Sequence, residues 1–448
     1  MRPAADTAAV DRSDLQGNIL RGYGFPFAAY VFARVDDERA GRDWLGRLLP
    51  SVTTADPWHG PKPVATLNLA FTHAGLQALG VPHDVLASAP DDFRSGMAGR
   101  ATQLGDSGRH APEHWDEGLG SGAAHVLVTI NAQRESDLDA ALEELRGGLP
   151  DQVAVVHEQR AAVLEGNREH FGFSDGFAQP AIKGDGVIAM PGQGTPEKDG
   201  KWSELALGEF ILGHEDGDQA RAPAPKGPLG HNGTYMVYRK LHQDVGLFRR
   251  VIRELGEGVP GGPELVAAKI VGRWPDGTPL ERSPDGSGRE QYASPELIND
   301  FRYEDDLDGR RCPLGAHIRR TNPRDALGWH GTRSRRHRMI RRGMPYGPPL
   351  APDTDQDDGA DRGLIFVCFC ASLWRQFEIV QAQWCGDGNI FGLGEDKDFL
   401  LLDDDRENAK MTIQGDPPRF LAPQPRLVTM RGGEYLLQPS MSGLRSLL

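Results

Sequence analysis

The stretch GLIFVCFCASLWRQFEIVQ, residues 363–381, joins an unbroken apolar run to a segment with helical periodicity. Residues 363–370 predict a buried strand, and residues 373–384 predict a helix. In the other half of the chain, ATLNLAFTHAGLQALG, residues 65–80, has the same order of strand and helix, with Thr72 placed as a helix cap. The repetition is one of strand–helix units rather than of sequence. It predicts an α+β fold of two similar halves with antiparallel sheets.

The composition excludes several classes of protein. The chain has 448 residues, of which 25% are charged, and a net charge of −14. This acidic balance argues against a general nucleic-acid binder or a polybasic membrane-surface protein. No apolar run reaches the roughly 18 residues that a membrane span needs. The four cysteines have neither zinc spacing nor a disulfide framework, which suits a reducing cytoplasm. We therefore expect a cytoplasmic protein and, from its charge and apolar runs, one that binds neither nucleic acid nor membranes.

A second stretch, HFGFSDGFAQP at residues 170–180, places one carboxylate among aromatic residues. Gly172 and Gly176 flank Asp175 and allow backbone conformations with positive φ. A lone carboxylate in apolar surroundings is costly unless it has a partner or a task. The structural alternative is an aspartate that caps a turn.

Two further stretches lie far downstream. RCPLGAHIRRTNPR, residues 311–324, places His317 on a short apolar run, and HRMIRRGMPYG follows at residues 337–347. With DLQGNILRGYG (residues 14–24) and RQFEIVQAQW (residues 375–384), these motifs resemble, in order, the dye-decolorizing peroxidase family of haem enzymes, closest to its longer bacterial members. The sequence departs from that family after Trp384, where CGDGNIF replaces the usual Ala-Asn-type continuation.

The resemblance sharpens the expected fold. It implies two ferredoxin-like halves with antiparallel sheets, and haem b bound mainly by the second half. We accordingly divide the chain into a disordered lead-in at 1–13, an N-terminal half at 14–183 with the GFSDG motif, a Gly/Pro-rich connection at 184–230, and a C-terminal half at 231–448 with the haem ligand. A homo-oligomer is compatible with this reading.

The resemblance also assigns roles. His317 would bind the haem iron through an imidazole nitrogen. Its other nitrogen normally donates to an acceptor, for which Glu378 is the candidate, with Asp308 and Asp387 as alternatives. Asp175 would move a proton between the two oxygens of hydrogen peroxide, and Arg341 would stabilise the departing oxygen.

The haem propionates need cationic partners, and arginines pair well with carboxylates. Arg319 could serve, together with one or two members of the basic run formed by Arg333, Arg335, Arg336, His337, Arg338, Arg341 and Arg342. A solvated charged face is the structural alternative for that run.

The predicted activity is reduction of hydrogen peroxide with oxidation of organic one-electron donors such as dyes and phenols. One alternative is a haem carrier or sensor without turnover, which would need no pair like Asp175 and Arg341. Another is an enzyme that removes the iron from haem without opening the ring, in the manner of a deferrochelatase. An iron-free porphyrin product would identify the latter.

Overall fold

The computed structural model describes residues 10–187, 189–197, 199–401 and 410–448. Within these ranges the strands are β1 Phe27–Val35, β2 Ala65–Phe71, β3 Val126–Ala132, β4 Val153–Ala162, β5 Thr195–Pro196, β6 Trp202–Ser203, β7 Thr234–Gln243, β8 Ile340–Arg341, β9 Met344–Tyr346, β10 Gly363–Cys370, β11 Met411–Ile413, β12 Arg419–Leu421 and β13 Val428–Gln438. The strands predicted at residues 65–71 and 363–370 are confirmed to the residue.

The helices connect these strands. The longer α-helices are Glu38–Leu48, Asp91–Gly99, Glu135–Gly147, Val245–Gly256 and Gly262–Val271. The shorter ones are Gly17–Leu20, His73–Ala78, His83–Leu86, Ala101–Leu104, Arg289–Tyr292, His317–Thr321, Thr332–Arg335 and Met441–Arg445. The helix predicted at 373–384 is present but π-helical, in the segments Leu373–Glu378 and Val380–Cys385. In the described part of the chain, no helix is long and apolar enough to cross a membrane.

The sheet shows two copies of one topology. Among the described residues, antiparallel strands form a nine-stranded sheet in the order β4-β1-β3-β2-β13-β7-β10-β8, with β9 also paired to β10. In each half the fourth strand lies beside the first, the first beside the third, and the third beside the second. This is the ferredoxin-like arrangement, so the predicted fold of two such halves is confirmed. The halves meet where Leu437 of β13 pairs with Phe71 of β2.

The register of β7 and β10 decides which side chains face the functional cavity. Arg239 lies opposite Phe366, and Leu241 lies opposite Leu364. Since side chains alternate between the two faces of a strand, all four project from one face of the sheet. That face lines the cavity described below.

The predicted segment boundaries remain predictions, although the structure gives details around them. Residues 1–9 of the predicted lead-in lie outside the described residues, and Arg12 donates a hydrogen bond to the backbone of Asp185. The Gly/Pro-rich connection at 184–230 contains the short strands β5 and β6.

One buried carboxyl group in β13 should make stability depend on pH. Glu434 accepts a hydrogen bond from the Gly120 amide at 2.6 Å, and burial raises its pKa from the ordinary 4.5 to about 8. The unfolded chain therefore releases this proton at lower pH than the folded protein, so stability falls as pH rises from about 4.5 towards 8.

Glu434→Gln keeps an oxygen acceptor for Gly120 and removes the titration. We expect the variant to unfold with a free energy roughly 3 kcal/mol higher than the wild type at pH 7, and with no gain at pH 4.5. Urea unfolding at the two pH values measures the difference. Equal stabilities of the two proteins at pH 7 would contradict a neutral, buried Glu434.

Candidate active site

A cavity of about 510 Å³ lies against the face of β7 and β10, within the range of cofactor sites. Its apolar lining includes Phe171, Phe173, Phe177, Leu241 and Phe366. Three residues that the sequence places in separate motifs also line it: Asp175, His317 and Arg341. The fold therefore brings the two predicted catalytic groups and the predicted iron ligand to one cavity.

Asp175 is held on a loop whose shape depends on two glycines. Gly172 and Gly176 have φ values of 98° and 92°, in the left-handed region that favours glycine. Asp175 Oδ1 lies 3.7 Å from Arg341 Nη2. The aspartate side chain is 65% solvent-accessible, and it lines the cavity. The sequence thus identified two charges that meet although they come from different halves.

The charge of Arg341 sets the protonation of this pair. Burial raises the pKa of Asp175, but the guanidinium of Arg341 lowers it, and together with the Gly176 amide and the charges of His317 and Arg273 it outweighs the effect of burial. The result is a pKa below the ordinary value of 3.8. Asp175 is therefore an ionised carboxylate at neutral and mildly acidic pH, able to accept a proton.

His317 begins the helix His317–Thr321 and pairs with an aspartate. Its Nδ1 lies 2.7 Å from Asp398 Oδ2, while Asp398 Oδ1 accepts the backbone amides of Leu400 and Leu401 at 3.0 and 3.3 Å. Burial lowers the pKa of His317, but the carboxylate of Asp398 outweighs this and raises it. The pairing fixes the ring and leaves Nε2 for a ligand.

The prediction that Glu378 is the partner of His317 is wrong. Glu378 is buried, with 1% of its side chain exposed, but it accepts two hydrogen bonds from Arg100 at 2.9 and 2.5 Å and one from Tyr435 at 3.0 Å. These contacts join it to an arginine from the first half. The alternative Asp387 is also wrong, because Nδ1 of His317 pairs with Asp398, while the carboxylate of Asp387 accepts hydrogen bonds from Asn389.

The predicted haem contact of Arg319 is also contradicted by the structure. Its guanidinium is buried and donates to Asp306 and to the Cys312 carbonyl, at 2.7 to 3.1 Å. It also stacks over Tyr303, with 4.4 Å between the guanidinium carbon and the ring centroid. These bonds turn Arg319 into the protein and away from the cavity lining.

Other arginines line the cavity instead, among them Arg273, Arg324 and Arg338. Burial lowers their pKa values to about 10, about 10 and about 9. Their hydrogen bonds go to backbone carbonyls and the Asn299 side chain, and within the described ranges no carboxylate forms an ion pair with them. Sequence reasoning found Arg338 within the basic run but missed Arg273 and Arg324.

These residues fit a haem. An imidazole fixed by a carboxylate is a usual haem-iron ligand, and aromatic walls suit a planar apolar ring. Buried guanidinium groups without a carboxylate partner are costly, and the two propionates of haem would supply the missing negative charge. The cavity therefore offers a ligand for the iron, apolar walls for the porphyrin ring and positive charges for the propionates.

Two family models match the chain. The one described as the DyP dimeric alpha+beta barrel domain matches residues 14–164, and the one described as Dyp-type peroxidase, C-terminal, matches residues 268–390. By contrast, the deferrochelatase of Yersinia pestis bv. Antiqua (strain Nepal516) is 30% identical over only 25% of this chain and 25% of its own length.

Individual relatives cover nearly the whole chain. The multifunctional dye peroxidase DyP2 of Amycolatopsis sp. (strain ATCC 39116 / 75iv2) is 31% identical over 100% of this chain and 98% of its own. The structure of an ancestral D-type dye decolorizing peroxidase is 30% identical, with a TM-score of 0.84 over 98% of this chain and 99% of that chain. A dye-decolorizing peroxidase in complex with 2,6-dimethoxyphenol is 26% identical, with a TM-score of 0.84 over 97% of this chain and 98% of that chain. On these matches and this site, the chain belongs to the dye-decolorizing peroxidase family of haem-dependent enzymes.

Proposed function

We propose that this haem peroxidase uses haem b and hydrogen peroxide, with His317 as the iron ligand and Asp175 and Arg341 as the groups that cleave the peroxide bond. The observation that carries the proposal is the Asp175 carboxylate 3.7 Å from the Arg341 guanidinium, in the cavity that His317 also lines. When bound, haem supplies the redox-active iron that gives two electrons to peroxide and recovers them from organic donors.

Asp175 supplies the proton chemistry. Its carboxylate takes the proton from the inner peroxide oxygen and returns it to the outer oxygen, which leaves as water when the O–O bond breaks. Arg341 stabilises the negative charge that develops on the departing oxygen, because a guanidinium stays protonated and offers several donors. The two side chains lie beyond hydrogen-bond distance of each other, which leaves their donors and acceptors available to peroxide.

Asp398 and the buried arginines serve the cofactor. Asp398 accepts the Nδ1 proton of His317, which orients the ring and increases the basicity of Nε2. Arg273, Arg324 and Arg338 are the proposed partners of the propionates, in place of Arg319. We also propose a reducing, cytoplasmic environment, which is supported by four buried cysteines that form no disulfide.

The pair of Asp175 and Arg341 also favours turnover over a carrier or sensor role, because storing haem requires neither a proton acceptor nor a charge for a departing oxygen. The short match to the deferrochelatase leaves iron removal as an outcome to test rather than a second candidate.

The test is addition of haemin to the purified protein, followed by peroxide and 2,6-dimethoxyphenol. We expect a Soret band that saturates at one haemin per chain, catalytic oxidation of the phenol, and porphyrin that keeps its iron. A saturating Soret band without phenol oxidation would favour a carrier, and an iron-free porphyrin product would favour iron removal. Protein that stays colourless with haemin would overturn the cofactor assignment.

A further inference from the structure

The side chain of Gln179 forms two hydrogen bonds with the backbone of Arg341. Its Nε2 donates to the Arg341 carbonyl at 3.0 Å, and its Oε1 accepts the Arg341 amide at 3.0 Å. Gln179 lies four residues after Asp175 on the same loop. One amide therefore connects the loop of the proton acceptor to both backbone polar groups of the residue that carries the opposite charge.

The position of Arg341 in the sheet explains why this contact is needed. Arg341 lies in β8, at the edge of the sheet, opposite Cys368 of β10. The next residue, Arg342, donates its amide to Val367 of β10 at 2.8 Å. Because backbone groups alternate in direction along a strand, the amide and carbonyl of Arg341 point away from β10. Gln179 occupies the place that a further strand would take at this edge.

Other contacts between the loop and this segment are few. Arg338 donates to the Ala178 carbonyl at 3.1 Å, and the loop itself turns through the left-handed Gly172 and Gly176. Glycines in such turns leave the chain free to move unless other contacts hold it. Asn167 and Pro275 hold the loop at Asp175 and Ser174, and the amide of Gln179 ties its end to the backbone of Arg341.

We propose that Gln179 is a positioning residue that holds Asp175 and Arg341 at their working separation. The inference rests on the proposed function, because it assigns Gln179 to the peroxide-cleaving pair. Gln179 itself contacts neither charged group of that pair through its side chain. It acts through the backbone of Arg341, so its loss changes geometry rather than the chemical groups present.

The chain contains a matched control for this contact. Gln16 donates through Nε2 to the Leu69 carbonyl at 2.8 Å and accepts the Leu69 amide through Oε1 at 2.8 Å. The same two bonds recur here in β2 of the first half, although Gln16 also donates to the Pro439 carbonyl at 2.9 Å and accepts from Asn68 Nδ2 at 3.3 Å. Gln16→Ala therefore reports what the loss of such a contact does to the fold alone.

The first measurement uses hydrogen exchange of the protein without haemin. Gln179→Ala should speed the exchange of the peptide that contains Arg341, whereas Gln16→Ala should speed that of the peptide with Leu69. Gln179→Glu, which retains an acceptor for the Arg341 amide and loses the donor, should lie between Gln179→Ala and the wild type. Unchanged exchange at Arg341 in Gln179→Ala would overturn the inference.

The second measurement is the rate of the peroxide reaction against pH in the haemin-loaded proteins. The charged groups that act on Asp175 are Arg341, Arg273, His317 and Glu169. We expect Gln179→Ala to react about tenfold to a hundredfold more slowly, because small misplacements of reacting groups have effects of this size. In Gln179→Ala, the pH at which the rate falls in acid should move up towards the ordinary pKa of an aspartate. Gln16→Ala should keep the wild-type rate and pH profile.

The outcomes separate the two proposals. Wild-type protein that does not react with peroxide, or Asp175→Asn that reacts as fast as the wild type, would overturn the proposed function. If those two proteins behave as expected but Gln179→Ala has the wild-type rate and pH profile, the role of Gln179 is overturned. Equal slowing of Gln179→Ala and Gln16→Ala with unshifted profiles would also overturn it, since both would then report stability alone.

Discussion

Asp175→Asn should slow the reaction of the haemin-loaded protein with hydrogen peroxide by about 10²- to 10⁴-fold, the usual contribution of a positioned proton acceptor. Asparagine has nearly the same shape but cannot take the peroxide proton. The haemin affinity should remain close to that of the wild type, because the iron ligand and the buried arginines are unchanged. Stopped-flow measurement of the Soret band after mixing with peroxide gives the rate.

The pH dependence of the wild type provides the control for this assignment. Arg341 keeps the pKa of Asp175 below its ordinary value of 3.8, so the carboxylate remains ionised in mildly acidic solution. The peroxide reaction should therefore persist at pH 4–5 and fall only as the pH drops below that ordinary value, whereas Asp175→Asn should lack this acid limb. A wild-type rate that rises steadily from about pH 5 to about pH 9 would contradict Asp175 as the base.

The fold could be predicted where local pattern decides structure. Residues 65–71 and 363–370 form strands because their apolar and β-branched runs suit a buried sheet, and the structure has both. The π-helical geometry of residues 373–385 could not be predicted, because the periodicity of its apolar residues also fits an α-helix.

The partner of His317 shows the limit of the same reasoning. Glu378 stands between Phe377 and Ile379, which favours burial, and the structure buries it. Which cation it meets depends on how the halves pack, and Arg100 reaches it from the first half. Asp398 lies in an acidic stretch that resembles a surface loop, so its only local signal is the apolar run that follows it.

Arg273 and Arg324 were missed for a similar reason. Each is a single arginine near proline and glycine, and nothing in its sequence neighbourhood indicates burial. The structure buries both against Phe301, with 5.3 and 3.7 Å between guanidinium carbon and ring centroid, and both bind the side chain of Asn299. Such contacts between distant segments exist only in the folded chain.

The second large effect should follow from Asp398→Asn. We expect a tenfold to hundredfold loss in haemin affinity or in the rate of the peroxide reaction, as is typical when the acceptor behind a metal-binding histidine is changed. An amide carries no negative charge, so it orients His317 less firmly and makes Nε2 a weaker donor to iron. Haemin titration and stopped-flow rates measure the two quantities, with His317→Ala as the limit in which the ligand is absent.

Glu378→Gln and Asp387→Asn separate this effect from a general loss of acidic groups. Glu378→Gln removes the charge that Arg100 binds, so it should lower the free energy of unfolding while leaving haemin affinity and the peroxide rate near those of the wild type. Asp387→Asn changes a carboxylate that contacts only Asn389 among its described hydrogen-bond partners, and both quantities should stay unchanged. The opposite pattern, with Glu378→Gln impaired in iron chemistry and Asp398→Asn like the wild type, would return the role of His317 partner to Glu378. A carboxylate in direct contact with Nδ1 acts most strongly on the donor strength of Nε2, and in this structure that carboxylate is Asp398.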